Sequence, residues 1–525
     1  MSGNPIQFQF VAQKYSDETF HVLSFTATES ISKTYQWEID LISNDPALDP
    51  AEIVNFGASF RFSVVIDRFP IHGIVTRFVQ LGRTHIAENS KDHSYLYRAV
   101  LEPTLSRLAL PMRSETFVQQ SLPVLLKEIL TRNRIEGEQV RYELKEDNYS
   151  EQWQTTQFEE SDLHFLQRLC ESEGIFYRFE QGEEEAVLVL DDTSESSPEL
   201  ARTPTLSFQD KSFIAEGAER TDLGKTVSTF SFSRENIPEK VQLSEYNWMH
   251  PGQRLKKTVP VTDAGGYGTF QDHRSHFFTE KGADFFARIR KEEILCRQNL
   301  FRGTSTAFTM RAGMTFTLTD HFNQNLNTEY LVTEVHHKGS QGIYFSPEDF
   351  QYENNFTAIR ADIPFRPQRV TPVPRIEGVI HAHVDSSTGD TYADINEDGM
   401  YRVRFPFDIT EGDKGNSKAS RFVRMAQSYA GSGMGMHFPL HKGTEVVIAF
   451  TGGDPDRPVI IGAVPNKETA SPVTSKNNTQ SRIETPGGNT MIFEDQEGVQ
   501  TIHMAVNKEG QQAFVRIGTL MPKPE

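Results

Sequence analysis

The sequence predicts a mainly β protein with a few helices and more than one domain. Apolar and polar residues alternate in short runs, such as YQWEI at 35–39 and FRFSV at 60–64, as half-buried strands require. The 38 Phe are spread along the chain and far outnumber the 3 Trp, which suits many short strands. At about 150 residues per domain, 525 residues suffice for roughly three or four units, each with its own core.

The net charge and the cysteines exclude several classes of function. A formal net charge of −19 argues against nucleic acid or an anionic membrane as the main partner, because phosphate binding needs clustered Lys and Arg. Cys170 and Cys296 lie outside any CxxC pattern, so we expect two buried thiols rather than a disulfide framework or a zinc knuckle. The start, MSGNPIQFQF, lacks the features of a secretory signal, so we expect cytoplasmic synthesis and export only by a route that reads no such peptide.

Three helices are predicted among the strands that precede residue 375. Ser121 and Ser161 are suitable N-caps for the first two, and Gly174 is a suitable left-handed C-cap for the second. The third is predicted from Thr279 to about Arg297. The first two helices carry apolar positions at helical spacing: Leu122, Leu125, Leu126, Ile129, Leu130, Leu163, Leu166, Leu169 and Cys170.

Composition predicts the boundaries of the later domains. Four prolines at 363–375 indicate an extended, semi-rigid linker, which separates a region at 1–375 from a new domain at 376–466. That domain holds five short β-rich runs, which fit a small closed barrel such as an OB-fold. A polar connector is predicted at 467–482, followed by a last domain at 483–525.

The last domain is predicted to be a narrow β structure that associates with copies of itself. Met491 and Phe493 share one face of a strand, Ile502, Met504 and Val506 share a face of another, and glycines separate the strands. A short sheet of this kind leaves its edges and its apolar face in water, so it needs partners. Three copies wound into a triangular β-prism would provide them, and a flexible tail is the alternative.

Several short motifs are better explained by structure than by chemistry. Asp454 and Asp456 in GGDPDRP suit a tight turn, and no nearby His or third acid in the sequence completes a metal-binding or catalytic set. GSGMG at 431–435 lacks the spacing and the following Lys-Ser/Thr of a phosphate loop, and Ser432 is not in a GxSxG elbow. The paired histidines, at 336/337, 381/383 and 437/441, are expected to have surface or packing roles. No catalytic, cofactor-binding or metal-binding residue is therefore predicted.

Long, ordered blocks of the chain also carry a family resemblance. They are FEESDLHFLQRLCESEGIFYRF at 158–179, GMYRVRFPFD at 399–408, RFVRMAQSYAGSGMGMHFPLHKGTEVVIAF at 421–450, GGDPDRPVIIGAVPN at 452–466 and TPGGNTMIFEDQEG at 485–498. In this order they resemble VgrG proteins, the spike subunits of type VI secretion systems. Phage tail hub and puncturing proteins and the spikes of extracellular contractile particles look similar.

The resemblance implies a fold and a mechanical function. It implies two hub β-barrels in 1–375, an OB-fold barrel in 376–466 and a C-terminal triangular β-helix, the β-prism, formed by a homotrimer. Such a spike punctures the target envelope at the tip of a contractile injection apparatus, from which it is ejected, or it forms part of an extracellular particle. The short gap between Pro465 and Arg482 leaves no room for a lysozyme domain, and no toxin domain is expected after the last strand-like run, VRIGTL.

The resemblance also implies partners, all of them proteins. The hub would bind an Hcp-like tube protein and baseplate components, and the needle would carry a PAAR-repeat tip protein and separately encoded effectors or toxins. The residues expected to contact the tip protein are the last ones: Gly518, Thr519, Leu520, Met521, Pro522, Lys523, Pro524 and Glu525.

Two other classes of function stay open from the sequence alone. A β-rich cell-wall or carbohydrate-active hydrolase would need two carboxylates at a cleft with pKa values held apart. A passive adhesin or binding module could use the same barrels. A stable trimer would favour the spike, whereas an active monomer on a glycan substrate would favour the hydrolase.

Overall fold

The computed structural model describes residues 6–64, 67–85, 93–145, 149–210, 225–262, 265–273, 276–342, 350–386, 392–409, 419–508 and 511–518. The chain divides into two compact units. The first, the N-terminal unit, comprises Met1–Arg113, Gln120–Gln152 and Glu159–Val373. The second, the C-terminal unit, comprises Pro374–Glu525 and two short segments from earlier in the chain, Ser114–Gln119 and Trp153–Phe158. None of the helices among the described residues is long and apolar enough to cross a membrane.

The secondary structure is mainly β. In chain order, the elements up to residue 360 are β1 (Ile6–Ala12), β2 (His21–Ser30), β3 (Gln36–Ser43), β4 (Gly57–Val64), β5 (Asp67–His85), β6 (His93–Glu102), β7 (Met112–Gln120), α1 (Leu122–Arg132), β8 (Val140–Glu143), β9 (Gln152–Ser161), α2 (Asp162–Glu173), β10 (Phe176–Gln181), β11 (Ala186–Asp191), β12 (Thr205–Phe208), β13 (Thr226–Arg234), β14 (Lys240–Glu245), β15 (Leu255–Pro260), β16 (Thr269–His273), α3 (Glu280–Leu295), β17 (Asn299–Ser305), β18 (Thr315–Thr319), β19 (Glu329–Ser340) and β20 (Gln351–Arg360). The later elements are β21 (Val379–Asp385), β22 (Arg402–Arg404), β23 (Arg424–Met425), β24 (Ala430–Gly431), β25 (Met434–Gly435), β26 (Glu445–Phe450), β27 (Pro458–Ala463), β28 (Gln480–Glu484), β29 (Asn489–Glu494), β30 (Thr501–Lys508) and β31 (Gln511–Gly518). The predicted class, mainly β with a few helices, is confirmed.

A closed six-strand barrel opens the N-terminal unit. Its order is β1-β4-β5-β6-β3-β2, and the pairing of Gln9 with His21 returns β2 to β1. The alternation seen in the sequence points one side of each strand into an aromatic interior. The buried aromatic residues of this barrel include Phe8, Phe10, Phe20, Phe25, Trp37, Phe60 and Phe62.

A second six-strand array follows in the same sheet. The order β19-β18-β12-β13-β17-β20 returns to its start through the pairing of β19 with β20, and β2–β19 pairing joins it to the first barrel. β12 pairs with β13 only at Ser207 and Phe208, so this array is a less complete barrel than the first. Its buried core includes Phe301, Phe316 and Tyr330.

The three predicted helices are confirmed, with the predicted N-cap residues. The Ser161 hydroxyl accepts from the main-chain N–H of His164 at 3.2 Å, and the Thr279 hydroxyl accepts from Gly282 at 3.1 Å. Ser121 occupies the N-cap position of α1 without a side-chain bond to the helix. Such caps satisfy main-chain donors that have no partner inside the helix.

Gly174 ends α2 as predicted, in the left-handed conformation with φ of 75°. A Cβ atom at this position would lie 2.6 Å from Cγ2 of Ile289 on α3. The Arg290 guanidinium on α3 donates to the last carbonyls of α2, those of Glu171 and Ser172, at 2.8 Å each. The junction of α2 and α3 therefore depends on a residue without a side chain.

The proline-rich stretch at 363–373 contains no strand, as predicted, but it is fixed to the N-terminal unit. The buried Arg366 side chain donates to the carbonyl of Gly174 at 2.9 Å and pairs with Glu292 at 2.7 Å. Thr371 donates its hydroxyl to Glu171 at 2.7 Å. This part of the stretch therefore packs as a segment of the unit rather than as a free linker.

A five-strand barrel forms the centre of the C-terminal unit, as the five β-rich runs predict. The sheet order is β22-β21-β26-β27-β23. Tyr401, just before β22, and Val423, just before β23, exchange main-chain hydrogen bonds of 3.1 and 2.7 Å, and these bonds close the ring. The interior holds Tyr401, Val403, Val423, Val446 and Ile448, all fully buried.

Residues from β7 and β9 complete this barrel domain, which the sequence did not predict. The two strands pair as a ribbon, and their middle residues group with the C-terminal unit. The main-chain N–H of Thr156 donates to Asp456 at 2.6 Å, and the Gln154 amide donates to the carbonyl of Pro455 at 3.3 Å. Residues some 300 positions apart in sequence thus form one fold.

We predict that Gly174→Ala lowers the free energy of unfolding by about 2–4 kcal/mol, because it adds a clash with Ile289 to the cost of a left-handed alanine. Gly137→Ala is the matched control: Gly137 also has positive φ, 65°, but open space where the Cβ would lie. It should cost about 1 kcal/mol. Urea unfolding of both variants measures the difference, and equal losses would contradict the packing argument.

Candidate functional site

The C-terminal sheet has one apolar face, which its hydrogen-bond register defines. β28, β29, β30 and β31 form a four-strand antiparallel meander in which Ile483, Met491, Met504 and Val515 are paired in one row. Phe493, Ile502 and Ile517 belong to the next row but one. Paired residues share a face and neighbours along a strand alternate, so both rows point to the same side. We call this side, together with Asn489, Val506, Ala513 and Ser481, the apolar face.

The apolar face is exposed in a single chain. Met504, Val515 and Ile517 have 46%, 56% and 64% of their surface accessible, and Ile483, Phe493, Ile502 and Val506 are also classed as exposed. Contiguous apolar surface of this kind marks an interaction site in a soluble protein. Full burial of one such side chain stabilises by about 1.5–3 kcal/mol, so covering the whole face provides a large driving force.

The opposite face of the same sheet is polar. Arg482 pairs with Glu484 at 3.1 Å, and the Gln480 amide donates to Glu494 at 3.0 Å. His503 stacks on Phe514 with ring centres 5.6 Å apart. The two faces therefore differ sharply in their affinity for water, and only one of them requires a cover.

The apolar face carries no formal charge, although the chain has a net charge of −19. β28 and β31 are the outer strands, so among the described residues each has one edge without a strand beside it. Open edges and an apolar face both favour association with further strands. The sequence indicated the apolar alternation, whereas the common face of β29 and β30 depends on a register that alternation alone does not give.

The residues predicted to contact a tip protein lie at the end of β31. Gly518 ends the strand with φ of 132°, and a Cβ there would lie 2.4 Å from the carbonyl oxygen of Gln500. Thr519, Leu520, Met521, Pro522, Lys523, Pro524 and Glu525 lie outside the described residues. The tip contact therefore stays a prediction.

The short motifs singled out in the sequence have structural roles. Asp454 accepts from the main-chain N–H of Asp456 at 3.0 Å and pairs with Arg457 at 3.2 Å, within the turn that joins β26 to β27. The GSGMG run forms the small hairpin of β24 and β25, with Gly433 at φ of 67°. Both turn predictions are confirmed.

The paired histidines do not converge. His381 and His383 lie exposed on β21, and His381 contacts Glu445 at 2.5 Å. His336 is exposed, whereas His337 is buried against Trp37, and burial lowers the pKa of its imidazole well below the usual value. These are the surface and packing roles that the sequence predicts.

A cleft of about 290 Å³ in the N-terminal unit contains the best carboxylates for the hydrolase alternative. Burial raises the pKa of Glu173 to about 7, and the positive charges of His276 and Arg290 limit the rise. Asp192, also in the cleft, accepts from the Tyr149 hydroxyl at 3.1 Å and from the main-chain N–H of Lys145 at 3.0 Å. Glu173 lies in the last turn of α2, where a packing role accounts for its burial.

Comparison with known proteins assigns this architecture to the baseplate hubs of contractile machines. The chain belongs to the phage tail baseplate hub (GPD) family, whose model matches residues 28–343. Residues 391–464 match the type VI secretion system and phage-baseplate injector OB domain. Both matches agree with the barrels described above.

Curated relatives carry VgrG names, which confirms the resemblance found in the sequence. The type VI secretion system spike protein VgrG4b of Pseudomonas aeruginosa is 28% identical over 93% of this chain and 60% of its own length. VgrG3 of Vibrio cholerae is 28% identical over 96% of this chain and 50% of its own length. The actin cross-linking toxin VgrG1 of V. cholerae is 27% identical over 96% of this chain and 46% of its own length. The chain thus spans about half the length of these relatives.

Solved structures share the fold. The E. coli c3393 protein, described as a type VI secretion component similar to phage T4 gp27 and gp5, superposes with a TM-score of 0.62 at 23% identity, covering 87% of this chain and 99% of its own. A chain of the lidless PdpA–VgrG complex gives a TM-score of 0.63 at 10% identity, covering 98% of this chain and 96% of its own. At these identities the likeness establishes the fold.

We predict that Glu173→Gln stabilises the protein at high pH. The pKa of Glu173 is about 7 in the folded chain against an ordinary 4.5, so between these values the folded chain keeps a proton that the unfolded chain releases. The burial cost therefore grows as the pH rises through this window. The variant should gain on the order of 2 kcal/mol at pH 8 and almost nothing at pH 4.

The exposed Glu195, which lines the same cleft, is the matched control, and Glu195→Gln should leave the unfolding curve unchanged at both pH values. Denaturant unfolding at the two pH values is the measurement. A loss of stability in Glu173→Gln at pH 8 would mean that the carboxylate is held ionised by its neighbours.

Proposed function

We propose that three copies of this chain assemble around an axis, with their apolar faces turned inward, as the spike of a contractile injection apparatus. The observation that carries the proposal is the exposed apolar face of the C-terminal sheet, which has no formal charge in an acidic chain. Identical charges brought together at an axis would repel, so a charge-free face suits contact between copies.

Three copies fit this sheet better than two. A face-to-face pair of sheets would cover the apolar faces but would leave all four outer edges open. In a cyclic arrangement, β31 of one copy lies beside β28 of the next, so the edges are covered as well. Three sheets arranged in this way form a triangular prism, the structure expected from the alternation of the last domain.

The prism accounts for a piercing function. Bending such a prism breaks main-chain hydrogen bonds in all three chains together, so the assembly is stiff. A stiff, narrow tip concentrates the force of a contracting sheath on a small area of the target envelope. The names of the relatives, type VI secretion system spike proteins, support the same function for this chain.

The partners follow from this role. The N-terminal barrels would bind a ring of Hcp-like tube protein and baseplate components, and separately encoded effectors would travel with the spike. A PAAR-repeat tip protein would be bound by the last residues, from Gly518 to Glu525. Three copies triple the formal charge of −19, which disfavours adhesion of the spike to anionic membranes.

The hydrolase alternative has less support. Its best candidate acid, Glu173, has a packing explanation, and its neighbour Asp192 is held by Tyr149 and Lys145. The relatives described above are named as spike proteins or as a toxin that acts on actin, and none of those names describes a hydrolase.

We predict that Met504→Glu abolishes the trimer, whereas His503→Glu leaves it intact. The two residues are neighbours on β30, but Met504 lies on the apolar face and His503 on the polar one. The substitution at 504 places a carboxylate from each copy at the shared interior, where its desolvation is costly. Sedimentation equilibrium should give a mass near three times 59.6 kDa for the wild type and His503→Glu, and a lower mass for Met504→Glu.

The same pair tests the mechanical function in the native apparatus. Antibody against this chain should label the distal end of purified sheath particles from the wild type and from His503→Glu. Particles made with Met504→Glu should lack the label and should fail to deliver cargo. Uniform label in the cytoplasm with full delivery would contradict the proposed spike.

A further inference from the structure

A second surface of the C-terminal unit has the composition of an interface. Residues 425–441 contain no Asp, Glu, Lys or Arg, and they form the longest stretch of the chain without a formal charge. Residues 428–436 within it are all exposed. We call residues 425–441 the uncharged loop. Its middle is the β24–β25 hairpin, whose turn the sequence predicts but whose exposure it does not.

The uncharged loop presents large apolar side chains to solvent. Tyr429 and Met434 are 56% and 59% accessible, and Met436 and Phe438 are also exposed. Aromatic residues and Met are enriched at the centres of protein interfaces, where charged residues are depleted. A surface loop with no binding role would more often carry charges, which make up 24% of this chain.

Hydrogen bonds fix the loop to the barrel. The main-chain N–H of Met436 donates to the carbonyl of Tyr429 at 2.9 Å. The His437 ring bridges Gln427 at 2.9 Å and the hydroxyl of Tyr401, a buried barrel residue, at 2.8 Å. The Tyr401 hydroxyl also accepts from the main-chain N–H of Leu440 at 3.2 Å. The exposed side chains are thus held in place before any partner binds, which lowers the entropy cost of association.

We propose that the uncharged loop contacts a second copy of this chain, as a further part of the interface between subunits. The inference rests on the proposed trimer and identifies a contact outside the C-terminal sheet. The loop and the apolar face belong to the same compact unit. They also share the property that contact between identical acidic subunits requires, which is apolar surface without formal charge.

A different protein as the occupant is less well supported by the charges. A chain with a net charge of −19 attracts a basic partner through its acidic surfaces, and the uncharged loop offers such a partner no opposite charge. For a second copy the same loop avoids repulsion. The charge pattern therefore favours self-contact.

Photo-cross-linking of the full chain tests this contact. p-Benzoylphenylalanine replaces Tyr429 in one copy carrying one affinity tag, co-expressed with an unmodified copy carrying another. The matched control replaces Tyr267, an aromatic residue of the N-terminal unit that is 84% accessible. Irradiation should join the two tags through position 429 at least tenfold more efficiently than through position 267.

A pair of substitutions gives a second readout. Tyr429→Asp should raise the protein concentration at which half of the trimer dissociates by at least tenfold, because it brings like charges into the contact. Tyr267→Asp should leave that concentration unchanged. Circular dichroism and the unfolding midpoint establish that both variants fold.

The outcomes separate this proposal from the trimer itself. A wild-type mass below that of a trimer would overturn the proposed function and this inference with it. A trimer in which position 429 reacts no more than position 267, or reacts only with a foreign protein, would overturn the loop contact alone. Efficient cross-linking between tags, together with weaker assembly of Tyr429→Asp, would support it.

Discussion

The register of four strands at the C-terminus is the constraint on which the account depends. Pairing of Met491 with Met504 and of Met504 with Val515 places the apolar residues of successive strands on one side of the sheet. A shift of one residue in either pairing would distribute them over both faces and remove the need for a cover. With the observed register, the sheet has an uncharged apolar face and open edges, and both require other strands.

The rest of the C-terminal unit suits a structure that bears load. Its barrel closes through the Tyr401–Val423 pair, and the hydroxyl of the same Tyr401 fixes the uncharged loop. Segments Ser114–Gln119 and Trp153–Phe158 belong to this unit although they precede it in the chain by more than 200 residues. Cutting the chain at Pro374 would therefore remove part of the barrel domain, and a fragment that starts there should not be expected to fold as the whole unit does.

Local patterns in the sequence predicted the helices and turns, because their causes lie within a few residues. Ser161 and Thr279 cap their helices, Gly174 adopts the left-handed conformation, and Asp454 forms a turn through its own side chain. Features that depend on distant residues were not predicted. Neither the hydrogen bond from Thr156 to Asp456 nor the packing of Arg366 against Gly174 has a local signal. The shared apolar face falls between these cases, since alternation predicts each strand and only the register combines them.

An electron cryomicroscopy reconstruction of the purified full chain would test the central claim most directly. The account predicts three copies around one axis, with Met491, Met504 and Val515 pointing toward that axis and β28 of each copy beside β31 of the next. Single copies with this face in solvent, or an assembly in which the face points outward, would contradict it.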